Sequence, residues 1–310
     1  MRLASGPAML ALIMIAPAAA QQAAQPQPEM ITTALTPEIA VLSYGNQGNV
    51  GVSHGVDGTV LIDAMYANAS AKIKSSVQAL GAKPIRMVIN THWHHDHSEG
   101  NENFAGNGAI VIAHENVRKR LSTLQFMSGL NRTVLPSAKG GLPLVTFTGE
   151  LSFHLNGDVM HVVHVPNAHT DGDVLVYWEK ANVLQMGDLF NRVTLPLIGI
   201  NEGGSIDGMI RASVKGLQLS NDTTRIIPGH GAVGTKADLQ AYHDMLVDIR
   251  GKVAAGISGG RSVEEIVRDK PAARYGMLDA FVKPDLFVEL VYYSLRKLPM
   301  PVRGPKRSTY

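Results

Sequence analysis

A chain of 310 residues with 45% hydrophobic and 17% charged residues is long and apolar enough to bury a large core, which excludes a disordered protein. Its 28 Lys and Arg nearly balance 26 Asp and Glu, so the formal charge of +2 gives no electrostatic reason to expect nucleic acid or a membrane surface as partner. The absence of cysteine removes disulfides, thiolate nucleophiles and thiolate metal ligands together.

Residues 1–20 carry Arg2, an apolar run from Ala8 to Ala16 and the small residues Ala18, Ala19 and Ala20. That is the layout of a secretory signal peptide cleaved after Ala20. The run is far shorter than the ~20 residues that span a bilayer, so no membrane anchor is expected after cleavage. The expected location is periplasmic or secreted. Residues 21–35 are rich in Gln and Pro and read as a linker; a single domain is expected over residues 36–298, with a loose tail at 299–310.

Within the domain, "IAVLSYG" and "NVGVSHGVDGTVLIDAM" read as strands broken by Gly, Asn and Asp turns, the second ending at Asp63. Ala67 to Leu80 has a helical pattern with Gly81 as its stop. "IRMVIN" is a buried strand by its apolar, β-branched character, and it leads straight into Thr91. A short helix from Glu99, the strand "AIVIAH" and a helix from Glu115 follow; residues 125–146 lack a clear period and read as a loop flanking a site. Strands are expected in "LVTFTG", "LSFHLNG", "VMHVVHVP", "DVLVYWEK" and "NVLQMGD". A helix capped by Ser205, the strand "TRIIPGHG" and a mostly helical stretch from Lys236 to Leu298 complete the domain. Strands followed by a helix recur in both halves, which points to an α/β sandwich with the sheets inside.

Four histidines and an aspartate crowd into "THWHHDH", residues 91–97. Further strand ends carry His169 in "PNAHTDGD", Asp188 in "VLQMGDLF" and His230 in "IIPGHG". Loops at strand ends are where an α/β scaffold gathers reactive groups. Zinc takes neutral imidazole nitrogens and carboxylate oxygens, and a catalytic site keeps one position for water. Two zinc ions ~3.5–4 Å apart can share a hydroxide, which asks for roughly six or seven ligands with one bridging carboxylate. His92, His94, Asp96, His97, His169, Asp188 and His230 meet that number. Iron and manganese accept the same donors. His95 falls outside the pattern and reads as a neighbour. Asp171 and Asp173 read as acceptors that fix their loop. His54, in a Gly- and Asn-rich turn, is a candidate substrate contact.

The motifs H-x-H-x-D-H, "AHTDGD", "GD" at a strand end and "PGHG", in that order over roughly residues 40–235, resemble the metallo-β-lactamase superfamily. The resemblance implies an αββα four-layer sandwich with a dimetal site at one edge of the sheets. It implies His92, His94 and His169 on the first zinc, Asp96, His97 and His230 on the second, and Asp188 bridging. Asp96 would also orient the attacking hydroxide, and Asp63 would buttress the metal loop without binding metal. The best-known β-lactamases of the family have a cysteine, or no ligand, in place of Asp188, and soon afterwards a lysine that grips the β-lactam carboxylate. Here "LFNR" leaves Asn191 or Arg192 for that task. Members often carry a substrate-covering hairpin at the place of His54. An exported dizinc hydrolase of a small-molecule carbonyl substrate is therefore expected, with β-lactam-type cyclic amides leading. Lactonase or glyoxalase II-like (thio)esterase activity is the rival, and an iron-dependent sulfur oxygenase a further one. A non-catalytic metal-binding protein is the alternative outside the enzymes, against which the complete ligand set argues. Specificity is expected to lie in residues 45–58 and 125–146; the oligomeric state is not legible.

Overall fold

The computed structural model describes residues 28–45, 47–276 and 281–302, so the expected signal segment and residues 21–27 of the expected linker lie outside the described residues. Strand β1 (Met30–Ala34) nonetheless falls inside the stretch read as linker. It pairs antiparallel with β2 (Ile39–Tyr44), Met30 opposite Tyr44 and Ala34 opposite Ala40. Its Ile31, Thr32 and Thr33 are β-branched, which suits an edge strand that gains one ladder and leaves its side chains in water.

Strands β3 (Asn49–Gly55), β4 (Gly58–Ile62), β5 (Ile85–Ile89) and β6 (Ile110–His114) continue the first sheet. β7 (Gln125–Met127) and β8 (Arg132–Val134) form a separate hairpin, and β9 (Val145–Phe147) closes the first sheet in the order β1-β2-β3-β4-β5-β6-β9. The second sheet runs β10 (Glu150–Leu155), β11 (Asp158–His164), β12 (Val174–Trp178), β13 (Val183–Asn191) and β14 (Arg225–His230), in chain order. Helices α1 (Ser70–Ala79), α2 (His95–Ser98), α3 (Asn101–Ala105) and α4 (Glu115–Leu121) belong to the first half. Helices α5 (Ile206–Leu219), α6 (Lys236–Ser258), α7 (Val263–Arg268) and α8 (Pro284–Arg296) belong to the second.

The sheets face each other through Ile39, Val41, Ile62 and Ile89 on one side and Val162, Val176, Trp178 and Ile227 on the other. The outer face of the first sheet, with Leu42, Leu61 and Val88, packs on Ile73 and Val77 of α1 and Phe104 of α3. That of the second, with Leu175, Leu184 and Ile226, packs on Met209 of α5, Leu246 of α6 and Phe287 of α8. The result is the αββα four-layer sandwich. Successive residues such as Val41 and Leu42 thus enter different cores, so central strands read as unbroken apolar runs.

Side-chain caps start α5 and α6: Ser205 accepts from Gly208 N, and Thr235 with Asp238 forms a capping box. Chain order extends past α8, where Met300 is buried and exchanges hydrogen bonds with the Asn201 side chain (3.0 and 3.3 Å). The start of the segment read as a loose tail is therefore anchored, and residues 303–310 lie outside the described residues. No helix among the described residues is long and apolar enough to cross a membrane.

β4, β5 and β6 are parallel, as are β13 and β14, so their C-terminal ends present the loops that follow them along common edges. The metal-binding motifs lie on these loops.

Candidate metal centre

The loop after β5 is held from beneath by Asp63, whose own backbone sits in the left-handed region at φ 72°. Asp63 Oδ1 accepts from Thr91 N (2.7 Å), and Oδ2 accepts from Thr91 Oγ1 and from His97 Nδ1 (both 2.8 Å). With Nδ1 so engaged, His97 turns Nε2 toward the centre. His92 is oriented the same way by Thr91 Oγ1, 3.1 Å from its Nδ1. His94 is reversed: its Nε2 lies 2.7 Å from Glu202 Oε2, and its Nδ1 faces His169 Nε2 at 2.9 Å. His169 in turn has Nδ1 2.7 Å from the Leu197 carbonyl. Fixing one ring nitrogen of each histidine selects the other as ligand.

Three groups of donor atoms converge, each within 4.8 Å: His92, His94 and His169; Asp96, His97 and His230; and His92, His97 and Asp188. Asp188 lies between the first two. Its Oδ1 is 3.4 Å from His97 Nε2 and 3.3 Å from His230 Nε2, while Oδ2 is 3.7 Å from His169 Nε2. Asp96 Oδ2 is 3.2 Å from His230 Nε2. His92 Nε2, His97 Nε2 and Asp188 Oδ1 are buried with no hydrogen-bond partner. Buried polar atoms left unpaired, facing one another and all of ligand type, fit divalent metal.

The charges show what the residues do with no cation among them. Burial works against a charged His230, but Asp188 and Asp96 outweigh it and push the imidazole up to about 10. His97 is likewise raised well above its ordinary value by Asp96, Asp63 and Asp188 against burial. Burial opposes ionised Asp96 too, yet His97 and His230 bring it down to about 2. His92, buried among other imidazoles, is lowered well below its ordinary value.

Residues elsewhere hold these loops. Asn49 of β3 donates from Nδ2 to the carbonyls of Pro228 and Gly231 (both 2.9 Å) and so clamps both sides of His230. A Cβ at Gly229 would overlap the Asp188 carboxylate, and one at Gly187 (φ 50°) would strike Thr91. Asp173 accepts from Thr170 N (2.7 Å) and fixes the His169 loop, whereas Asp171 takes a two-pronged bond from Arg120 of α4 (2.7 Å each). Nothing in the sequence marks Glu202 or Asn49: Glu202 is 108 residues from His94, and only the fold shows that its charge is buried.

The centre opens into a cavity of about 460 Å³ whose walls include Tyr66, Met127, Leu130, Arg132, Leu197 and Phe281. His95 borders it as a neighbour, and Asn191 also lines it. Arg192 does not. Its guanidinium donates to the carbonyls of Ala232 (3.0 Å) and Val233 (2.9 Å) and to Asp238 (2.9 Å). His54 is also absent from the walls, because β3 begins at the metal edge and ends, at His54 opposite Thr59, at the other. The tip of its hairpin is pinned there, with Asp57 and Asn156 exchanging hydrogen bonds of 3.1 and 2.7 Å. Of residues 45–58 only Gln47 lines the cavity among those described, whereas the 125–146 stretch supplies the β7–β8 hairpin to its wall.

Residues 43–230, more than half of the chain, match the family model of the metallo-β-lactamase superfamily. The chain belongs to that superfamily. Among solved structures it is similar to the DIM-1 metallo-β-lactamase, at 18% identity and a TM-score of 0.57, over 72% of this chain and 99% of that one. It is similar to a metallo-β-lactamase from Pontibacter korlensis at 19% identity and a TM-score of 0.58, over 71% and 100%. A double mutant of the sec-alkyl sulfatase PisA1 gives 16% identity and a TM-score of 0.65; that match takes in 88% of this chain but 51% of the sulfatase. These likenesses concern the fold. Members of the superfamily are mostly hydrolases, and the fold implies divalent metal.

Proposed function

We propose that this superfamily member is an exported dizinc hydrolase that opens a carbonyl substrate, with β-lactam-type cyclic amides the first choice. The observation that carries the reading is the position of Asp188 between two three-residue groups, with His92 Nε2, His97 Nε2 and Asp188 Oδ1 all buried and without a hydrogen-bond partner. His92, His94 and His169 would hold one ion, Asp96, His97 and His230 the other, with Asp188 shared. When bound, such a pair supplies Lewis acidity at the carbonyl oxygen and a water of lowered pKa. Asp96, partly buried and kept ionised, turns Oδ2 toward His97 and His230, which would leave Oδ1 to accept and hold a proton from the attacking water. The apolar walls exclude bulk water from one side of the substrate. Export rests on the N-terminal layout of Arg2, the apolar run and Ala18 to Ala20.

A carboxylate at position 188 favours a second reading, hydrolysis of lactones or (thio)esters. The deciding experiment is turnover of a cephalosporin and a carbapenem by zinc-loaded protein starting at Gln21, with metal analysis and a chelator-treated control. Chelator-sensitive turnover supports the first reading. No turnover with two zinc ions bound per chain transfers the assignment to lactones and thioesters, and a single iron per chain in the protein as purified, before zinc loading, would replace both with sulfur oxidation.

A further inference from the structure

We propose that Arg132 is the anion anchor of the cavity and selects substrates that carry a fixed negative charge on an apolar body. This deepens the hydrolase reading by naming the class of substrate. Histidines apart, Arg132 is the only basic residue among the described residues that line the cavity. Its guanidinium has no hydrogen bond or ion pair with any described residue, while the neighbouring arginines are engaged. Arg118 donates to the Pro143 carbonyl, Arg120 to Asp171 and Gln125, and Arg192 to Asp238 and two carbonyls. An unengaged guanidinium offers five donors in a fork that matches a carboxylate or sulfonate.

The hairpin holds Arg132 in place. It opens β8 opposite Met127 of β7, and the intervening turn closes through Asn131 in the left-handed region (φ 51°). Gln125 of β7 accepts from Arg120, the residue that grips Asp171 in the His169 loop, so the hairpin is tied to the centre. The walls of the same cavity include the apolar side chains Met127, Leu130, Leu197 and Phe281. A ligand with an apolar body would rest on these side chains with its anionic group on Arg132. The anchor also decides orientation. A carboxylate competes with a carbonyl for a metal centre, and a cation elsewhere on the wall of the same cavity would draw the carboxylate away and leave the carbonyl facing the ligands.

The test compares phenylacetate with phenylacetamide, nearly equal in shape and different in charge, by titration calorimetry on the zinc-loaded full chain. The wild type is expected to bind the anion about 10-fold more tightly, a preference that falls with salt. Arg132→Ala should lose most of that preference, and Arg132→Lys should keep part of it. Zinc content and Tm should not change, since Arg132 is exposed and holds no other residue. A full preference in Arg132→Ala would place the anion elsewhere and overturn the proposal, as would no preference in the wild type. If no carbonyl substrate turns over while the preference still depends on Arg132, the hydrolase reading fails and the anchor stands. Turnover with an Arg132-independent preference does the reverse.

Discussion

His94 Nε2 lies 2.7 Å from Glu202 Oε2, and both side chains are almost wholly buried. The contact makes Nδ1 the ligand atom of His94 and gives the imidazole a charged acceptor, an outer partner of the kind that sets metal affinity. Glu202→Gln should therefore weaken zinc binding roughly 10–100-fold. Glu202→Ala should in addition lower the stability of chelator-treated protein by about 3 kcal/mol, because His94 loses its buried partner. Competition with a chromogenic chelator and thermal unfolding read the two effects. Wild-type zinc affinity in both variants would remove Glu202 from the site.

Asp188 and Gly229 make a second pair. Asp188→Ala should drop bound metal below two per chain, since no other carboxylate among the described residues reaches both groups. Gly229→Ala should do the same without altering a ligand, because its Cβ would occupy the space of the Asp188 carboxylate and press on the backbone of Gly187 and Asp188. Its stability should fall by about 1–3 kcal/mol as the strand ends shift. Mass spectrometry of native protein counts the ions. Two per chain in Gly229→Ala would show that Asp188 can move and still bind.

Much of this site was legible because its signals are local. Strands buried on both faces read as apolar runs, and the ligands follow those runs within a few residues. Features that depend on register or on long-range pairing were not legible. β1 is a solvated edge strand, and β7 and β8 are three residues each, too short for a period of two to register. Arg192 follows Asn191 into the turn and is claimed by Asp238, 46 residues away, whereas Arg132 in an unpatterned segment reaches the cavity. The place of His54 away from the cavity is not legible in sequence, because the direction of β3 decides which of its ends meets the metal, and direction follows only from its antiparallel pairing with β4.

Asp96 sits at the meeting point of ligand and base. Asp96→Asn keeps size and some ligand capacity but no longer has a carboxylate to accept a proton. Turnover on any substrate of the loaded enzyme should fall by at least about 100-fold. The fold should survive, with the far-ultraviolet circular dichroism spectrum unchanged. Full activity in this variant would sink the role of Asp96 in handling the proton.

The charges of the centre also predict how metal binding responds to pH. In metal-free protein His230 titrates near 10 instead of 6.5, and Asp96 near 2 instead of 3.8. A raised histidine stabilises the fold fully below its unfolded value, and that contribution is lost as pH rises through the folded one. A depressed carboxylate contributes above its unfolded value and loses the contribution as pH falls. The His230–Asp96 pair thus supports chelator-treated protein best between 3.8 and 6.5, and the support fades toward pH 10. Metal needs these imidazoles neutral, so binding at pH 7 must expel the protons that His97 and His230 carry. Zinc affinity should accordingly rise between pH 6.5 and 9, and titration calorimetry in buffers of different ionisation enthalpy should show net proton release. Metal-loaded protein, whose centre no longer depends on imidazolium pairs, should keep its Tm over the same range while chelator-treated protein loses stability. Zero proton release at pH 7 would mean that the histidines are neutral before metal arrives and that Asp96 and Asp188 do not charge them.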